Sequence, residues 1–139
     1  AEGEVIFKKY SPIGELSNFA NQYAEVLHKS GGLPIAIMDN DHVIAASGLS
    51  KREVLERRVT KNLEELMENR AIHISTKEVP PMNAIEGFDR KANVVYPIIY
   101  GGDVSGAVAL MQSDESHLPT ETEIKLVQVA AAFLGKQME

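Results

Sequence analysis

The stretch "VVYPIIYGGDVSGAVALMQS", Val94 to Ser113, constrains the fold more than any other part of the chain. It holds two long apolar runs on either side of Gly101-Gly102-Asp103, and paired glycines supply the positive φ that a tight hairpin needs. Gly106 interrupts the second run, where a glycine marks a bulge or a close backbone approach. An antiparallel hairpin of this length needs further strands or helices to cover its apolar faces, so the remaining elements should assemble around it.

Those elements can be read from pattern and punctuation. Ser11-Pro12 is a helix start, and apolar residues recur at Ile13, Leu16, Phe19, Tyr23 and Leu27, widened by Ala20, Ala24 and Val26, until Ser30-Gly31-Gly32. "IAIM" and "VIAAS" are strand-like and are joined by the polar turn Asp39-Asn40-Asp41-His42. Two short helices follow, one predicted from a capping box of Ser50 with Glu53 and one N-capped by Thr60. Ala71 to Thr76 alternates as a strand does, and Lys77 to Asn93, with two prolines and a glycine, reads as a long loop of the kind used for lids and binding. The last helix opens with Pro119 and a capping box of Thr120 with Glu123. Ile124, Val127, Ala131, Leu134 and Met138 form one stripe on it, while Val129 and Phe133 lie on another side.

This order describes an α+β fold, an antiparallel sheet of five or six strands with flanking helices. PAS and GAF sensor domains share the layout, and the long helices at both ends favour GAF. With 139 residues, 44% of them hydrophobic, the chain has the size of one domain with a single core. It opens on Ala1 rather than Met and enters the strand-like "EVIFKK" almost at once, so we expect a fragment of a longer protein.

Composition excludes several chemistries. The absence of cysteine removes disulfides, thiolate nucleophiles and cysteine–zinc sites. A net charge of −6 disfavours this stretch as a nucleic-acid binder by itself, because phosphate contacts need a concentrated cationic face. No apolar run approaches the roughly 20 residues that span a bilayer, and a cytoplasmic protein without membrane contact is expected. His28, His42, His73 and His117 are scattered over different elements without metal-ligand spacing, so no metal is expected. Asp39-Asn40-Asp41 lacks the glycine and terminal glutamate of a calcium loop. No nucleophile elbow, phosphate loop or dinucleotide fingerprint occurs, so we expect neither an enzyme nor a resident cofactor.

Four stretches, "GEVIFKKYSPIGELSNFANQYA", "IAASGLSKREVL", "GGDVSGAVAL" and "VQVAAAFLGKQME", resemble the C-terminal regulatory half of AbrB-family transcription factors of spore-forming bacteria. The likeness runs from the first residues to the last and is thinnest from Ala71 to Asn93. It implies that residues 1–10 are the final strand of a swapped-hairpin DNA-binding domain and that residues 11–139 are a GAF-like regulatory domain. DNA would be a partner only through that missing N-terminal domain, and expression would be expected in the forespore. The GAF likeness also implies a small-molecule effector site at Ile37, Asp39, Ala45, Ser47, Gly48, Tyr96 and Ile98, with Met82 and Asn83 from the long loop. These residues equally suit a filled core, although Ser47 and Tyr96 bring polar tips that need partners.

Two further clusters carry alternative readings. Lys51, Arg52, Arg57, Arg58 and Lys61 place five of 14 cations within a short span. Arg57 and Arg58 are candidates for an anion site, against a solvated face paired with Glu53 and Glu56. Leu16, Phe19, Tyr23 and Leu27, with Ile124, Val127, Ala131, Leu134 and Met138, are candidates for a helical bundle between subunits, in a dimer or a tetramer. The alternative is that both stripes cover the chain's own sheet. Two functions follow: a regulatory sensor that modulates DNA binding, or a ligand-free tetramerisation scaffold that couples two DNA-binding dimers.

Overall fold

The computed structural model describes residues 17–113 and 117–138, apart from the side chains of Phe19 and Ser30 and the burial of Gly31. The strand expected in residues 1–10, the helix start at Ser11-Pro12 and the interface candidate Leu16 lie outside the described residues. The elements are α1 (Ser17–Gly31), β1 (Ile35–Asp39), β2 (Val43–Ser47), α2 (Lys51–Val54), α3 (Lys61–Glu68), β3 (His73–Ile74), β4 (Ala92–Tyr100), β5 (Asp103–Met111) and α4 (Glu121–Gln137). The five strands form one antiparallel sheet in the order β2-β1-β5-β4-β3.

Strand alternation builds a core on each face. Ile35, Ile37, Val94, Ile98, Val108 and Leu110 point to one side, where α4 packs across β4 and β5 and α1 across β2 and β1. Ala36, Met38, Ala46, Val95, Ala107, Ala109 and Met111 point to the other, under Val54 of α2, Leu63 and Met67 of α3, and Ala84 and Ile85 of the long loop. That second face is paved largely with alanine, which lets short helices and a loop lie close to the strands.

Predicted punctuation held at most places. The β4–β5 hairpin closes at Gly101 and Gly102, both at positive φ. Gly106 is a close-approach site, since a Cβ there would stand 2.1 Å from the carbonyl oxygen of Met38. Thr60 caps α3 by accepting from the Leu63 amide, and Thr120 with Glu123 forms a complete capping box on α4.

The Ser50–Glu53 box does not form: the Ser50 side chain makes no cap hydrogen bond, and α2 ends after one turn. The chain is pulled out of the helix by Glu56 at φ +68, which lets the Glu56 amide donate to Val43 O and the Val43 amide to Arg57 O. The strand expected over residues 71–76 shortens to two residues, although the Ser75 amide continues the pairing to Asn93 O. The long loop is not an open lid. Bridges join Val59 to Ile85 and Met82 to Ala92, and Ala84 and Ile85 are buried.

α4 contributes small residues to the sheet, namely Ala130, Ala131 and Gly135, all buried. A Cβ on Gly135 would lie 2.4 Å from Ile99 O. Alanine gains about 1 kcal/mol in helix propensity, but overpacking against backbone costs typically ~1–3 kcal/mol. Gly135→Ala is therefore expected to be net destabilising, read as a lower midpoint in urea unfolding, despite improving the isolated helix.

β3 carries a titrating group. Burial holds the His73 imidazole below its ordinary pKa, so the unfolded chain takes up a proton at higher pH than the folded one. The contribution to stability is complete above the unfolded value of about 6.5 and is lost as pH falls through the depressed folded value. Urea unfolding from about pH 7 downward should show that loss, and His73→Gln should remove this part of the pH dependence.

Candidate ligand site

The residues expected to line an effector pocket do not converge. Ile37, Ala45 and Ile98 are buried in the core under α1 and α4, and Tyr96 packs against the same cluster. Met82 packs against the cluster on the opposite face, and Asn83 is exposed. Asp39, 4% exposed, organises the β1–β2 turn by accepting from the amides of Asp41 at 2.7 Å and His42 at 2.8 Å. Ser47 ends β2 opposite Ile35, and Gly48 lies beneath the His28 ring. None of these nine residues lines any of the clefts described below. The physical reason is parity: in period-two strands, Ile37, Tyr96 and Ile98 take the face that the terminal helices cover, not the one beneath α2, α3 and the loop.

Most of the stripe expected at a subunit interface is taken up by the chain's own sheet. Leu27, Val127, Ala131 and Leu134 are buried in the chain's own core, and Tyr23, Ile124 and Met138 pack against it. Among the described residues, the exposed large apolar side chains of the terminal helices are Val26 (55%), Val129 (49%) and Phe133 (40%). Tyr23 meets Phe133 edge to face with centroids 5.2 Å apart, and burial raises the Tyr23 phenol pKa.

On the α2 and α3 side, the structure does bring both arginines of the expected anion site to clefts. A cavity of about 360 Å³ is lined by Ser50, Glu53, Arg57, Gly87, Phe88, Asp89 and Arg90. A more open one, lined by Arg57, Arg58, Glu86 and Gly87, shares two of those residues. Arg57 is held from both ends. Its carbonyl accepts from the Val43 amide, and its guanidinium donates to Glu86 O at 3.2 Å. Gly87, at φ +74, is what allows this, because a Cβ there would lie 2.2 Å from Nη1.

Arg58 turns away to Glu64 at 3.7 Å, an exposed pair of small energetic weight. Arg57 was expected at an anion site from the sequence; Ser50, Phe88 and Arg90, which share its cleft, were not. For Phe88 and Arg90 the signal was the lone glycine in "EGFDR", in a loop already marked as irregular. A further cleft of about 430 Å³ lies between α3 and the two hairpin turns, with Asp41, Glu64, Glu68 and Asp103 around Met67 and Arg70. Arg70 donates to Gly102 O there and pairs with Asp103 at 3.9 Å. Among the described residues no His or carboxylate group is arranged to hold a metal ion.

A five-stranded antiparallel sheet with terminal helices on one face, and short helices and a loop framing a cleft on the other, defines a GAF-fold domain. Solved structures agree in fold: the GAF domain of an Acinetobacter phosphoenolpyruvate-protein phosphotransferase has a TM-score of 0.64 at 12% identity, covering 94% of this chain and 84% of that one. The cofactor-binding GAF domain of the nutrient sensor CodY from Clostridium difficile has a TM-score of 0.57 at 11% identity, covering 86% and 83%. Residues 15–139 match the family described as stage V sporulation protein T C-terminal, transcription factor, and the chain belongs to that family. It is 41% identical over 140 residues to stage V sporulation protein T of Bacillus subtilis (strain 168), covering 99% of this chain and 77% of that protein.

Gly87→Ala tests how Arg57 is held. The substitution places a side chain at a left-handed φ, at a cost of about 1–2 kcal/mol, and against the guanidinium. Stability to urea should fall by that order, and NMR should show the Arg57 and Glu86 signals displaced while those of the β4–β5 hairpin stay in place.

Proposed function

We propose that this chain is the effector-sensing and assembling domain of a sporulation transcription regulator. In this reading residues 1–10 are the last strand of a preceding DNA-binding domain, residues 11–139 are the regulatory unit, and DNA is contacted only through that preceding domain. The domain acts by binding rather than catalysis. Among the described residues no helix is long and apolar enough to cross a membrane, and we place its action in the cytoplasm of the forespore.

The observation that carries the reading is Arg57, preorganised over Gly87 at a cleft it shares with Ser50, Phe88 and Arg90. A guanidinium already oriented by its hydrogen bond to the Glu86 carbonyl loses less freedom on meeting a carboxylate or phosphate, so the effector is a small molecule with an anionic group and an apolar part for Phe88. Its binding regulates only if it distinguishes two arrangements of the terminal helices, and such coupling is typically about 1–3 kcal/mol.

A second reading, the ligand-free scaffold, is favoured by the exposed Val26, Val129 and Phe133, which give the outer faces of α1 and α4 an apolar surface for another copy of the chain. Both readings use this self-association, and they differ in the ligand.

Native mass spectrometry of the domain purified from a spore-forming host, under gentle and then denaturing conditions, separates them. The sensor reading expects an extra mass that leaves on denaturation, is lost in Arg57→Ala, and is accompanied by altered operator binding when the full-length protein carries that change. A clean oligomer with no passenger, together with unchanged operator binding by Arg57→Ala, leaves the scaffold. Val129→Glu with Phe133→Glu should weaken self-association by about tenfold or more in sedimentation while leaving the fold intact, and an unchanged oligomer would remove this interface from both readings.

A further inference from the structure

A smaller cavity, of about 150 Å³, lies where β1 and β4 begin, β5 ends and α4 starts, and shares no residue with the Arg57 cleft. Its walls are Gly32, Leu33 and Pro34 from the α1–β1 link, Asn93, Leu110, Met111 and Ser113 from the sheet and its exit, and His117 and Glu123 at the head of α4. A volume of this size holds a molecule of about six heavy atoms.

Asn93 gives the cavity its chemistry. The β4–β5 register shifts between Ala92 and Val94, so Asn93 is an inserted residue, a device that re-aims a side chain. It is 2% exposed. Its Nδ2 donates to His117 O at 3.2 Å, which fixes the amide orientation, since a flipped amide would set two oxygens against each other. Oδ1 is left as a buried acceptor without a protein donor, and buried acceptors of this kind are uncommon because they forfeit hydration.

The charge at the site is also an acceptor's. The Glu123 carboxylate receives the Thr120 amide at 2.9 Å, and His117 Nε2 lies 3.2 Å from one of its oxygens and 3.4 Å from the other. Its side chain is 20% exposed, so it is only partly screened. Asn93 Oδ1, the Glu123 carboxylate and the Ser113 hydroxyl offer acceptors, while Leu33, Pro34, Leu110 and Met111 offer apolar wall.

We infer that this cavity is a second binding site, specific for a small protonated amine whose ammonium donates to Asn93 Oδ1 under the field of Glu123 and whose short carbon part lies against Leu33 and Met111. The occupied site touches both the link that leaves α1 and the link that enters α4. It would therefore report to the same two helices as the Arg57 cleft, from independent residues.

The test is an NMR titration of the 139-residue chain with ethylammonium chloride, with acetamide as the neutral probe. For a probe of three heavy atoms the best affinity within reach is about millimolar. Saturating shifts at the signals of Leu33, Asn93, Met111 and His117 in that range are expected with ethylammonium and not with acetamide. They should weaken at least about tenfold in Asn93→Leu and in Glu123→Gln, and persist in Arg57→Ala. Glutamine serves in a capping box as glutamate does, so Glu123→Gln keeps α4 capped and carries the test if Asn93→Leu does not fold. Shifts that rise without saturating, or that survive in Glu123→Gln, overturn the proposal and leave a cavity that holds water only. Equal binding of acetamide overturns the assignment to a cation.

Discussion

The structure depends on one sheet that must bury both of its faces. Period-two alternation along β1, β4 and β5 sends Ile35, Ile37, Val108 and Leu110 to one side and Ala36, Met38, Ala107 and Ala109 to the other. Burying large side chains such as Ile35, Ile37, Leu110 and Met38 contributes on the order of 1.5–3 kcal/mol each, so each face must be covered by something. Two long helices cover the side of large residues, and two short helices and a tethered loop cover the alanine side. The second cover is thin and irregular enough to leave clefts rimmed by charged side chains.

The same requirement decides what the terminal helices have left to offer. Each long helix has one apolar stripe committed to the sheet: Ala20, Ala24 and Leu27 on α1, and Val127, Ala130, Ala131 and Leu134 on α4. At 100° per residue, Val26, Val129 and Phe133 cannot join those stripes and remain about half exposed. An apolar surface that survives after the monomer's own needs are met is a stronger pointer to self-association than a stripe that the monomer can use.

This separates what the sequence could disclose from what it could not. The β4–β5 hairpin, the caps at Thr60 and Thr120 and the close approach at Gly106 were legible, because each depends on residues near in sequence or on a backbone restriction that only glycine relieves. The failures are non-local. Ser50 and Glu53 spell a capping box, but the pairing of residues 56–57 with Val43 pulls the chain out before the helix can use it. Ile37 and Met38 are adjacent and equally apolar, and which of them packs under the short helices and the loop depends on which helices end on which face. Arg57 was visible as a cation, but its restraint by Gly87 joins residues from either side of α3 and β3.

How the cleft could speak to the helices follows from the same contacts. Arg57 is not on a free loop: its carbonyl and the Glu56 amide are both bonded to Val43, the first residue of β2. On the reverse side of β2, Ile44 and Ala45 belong to the core beneath α1 and α4. A group that pulls on the Arg57 guanidinium therefore acts on a strand whose other face supports α1, with one layer of side chains between them. Such a path provides contact and no more; coupling also needs an element with two discrete arrangements. The outer stripe of α1 and α4 supplies a candidate, since pairing with another copy would bury residues that the monomer leaves half exposed. A small shift of α1 on the sheet would then move Val26 relative to Val129 and Phe133 and change how well the two helices together match a partner surface; under the proposed function, that is how a modest binding energy at the cleft would become a change in assembly.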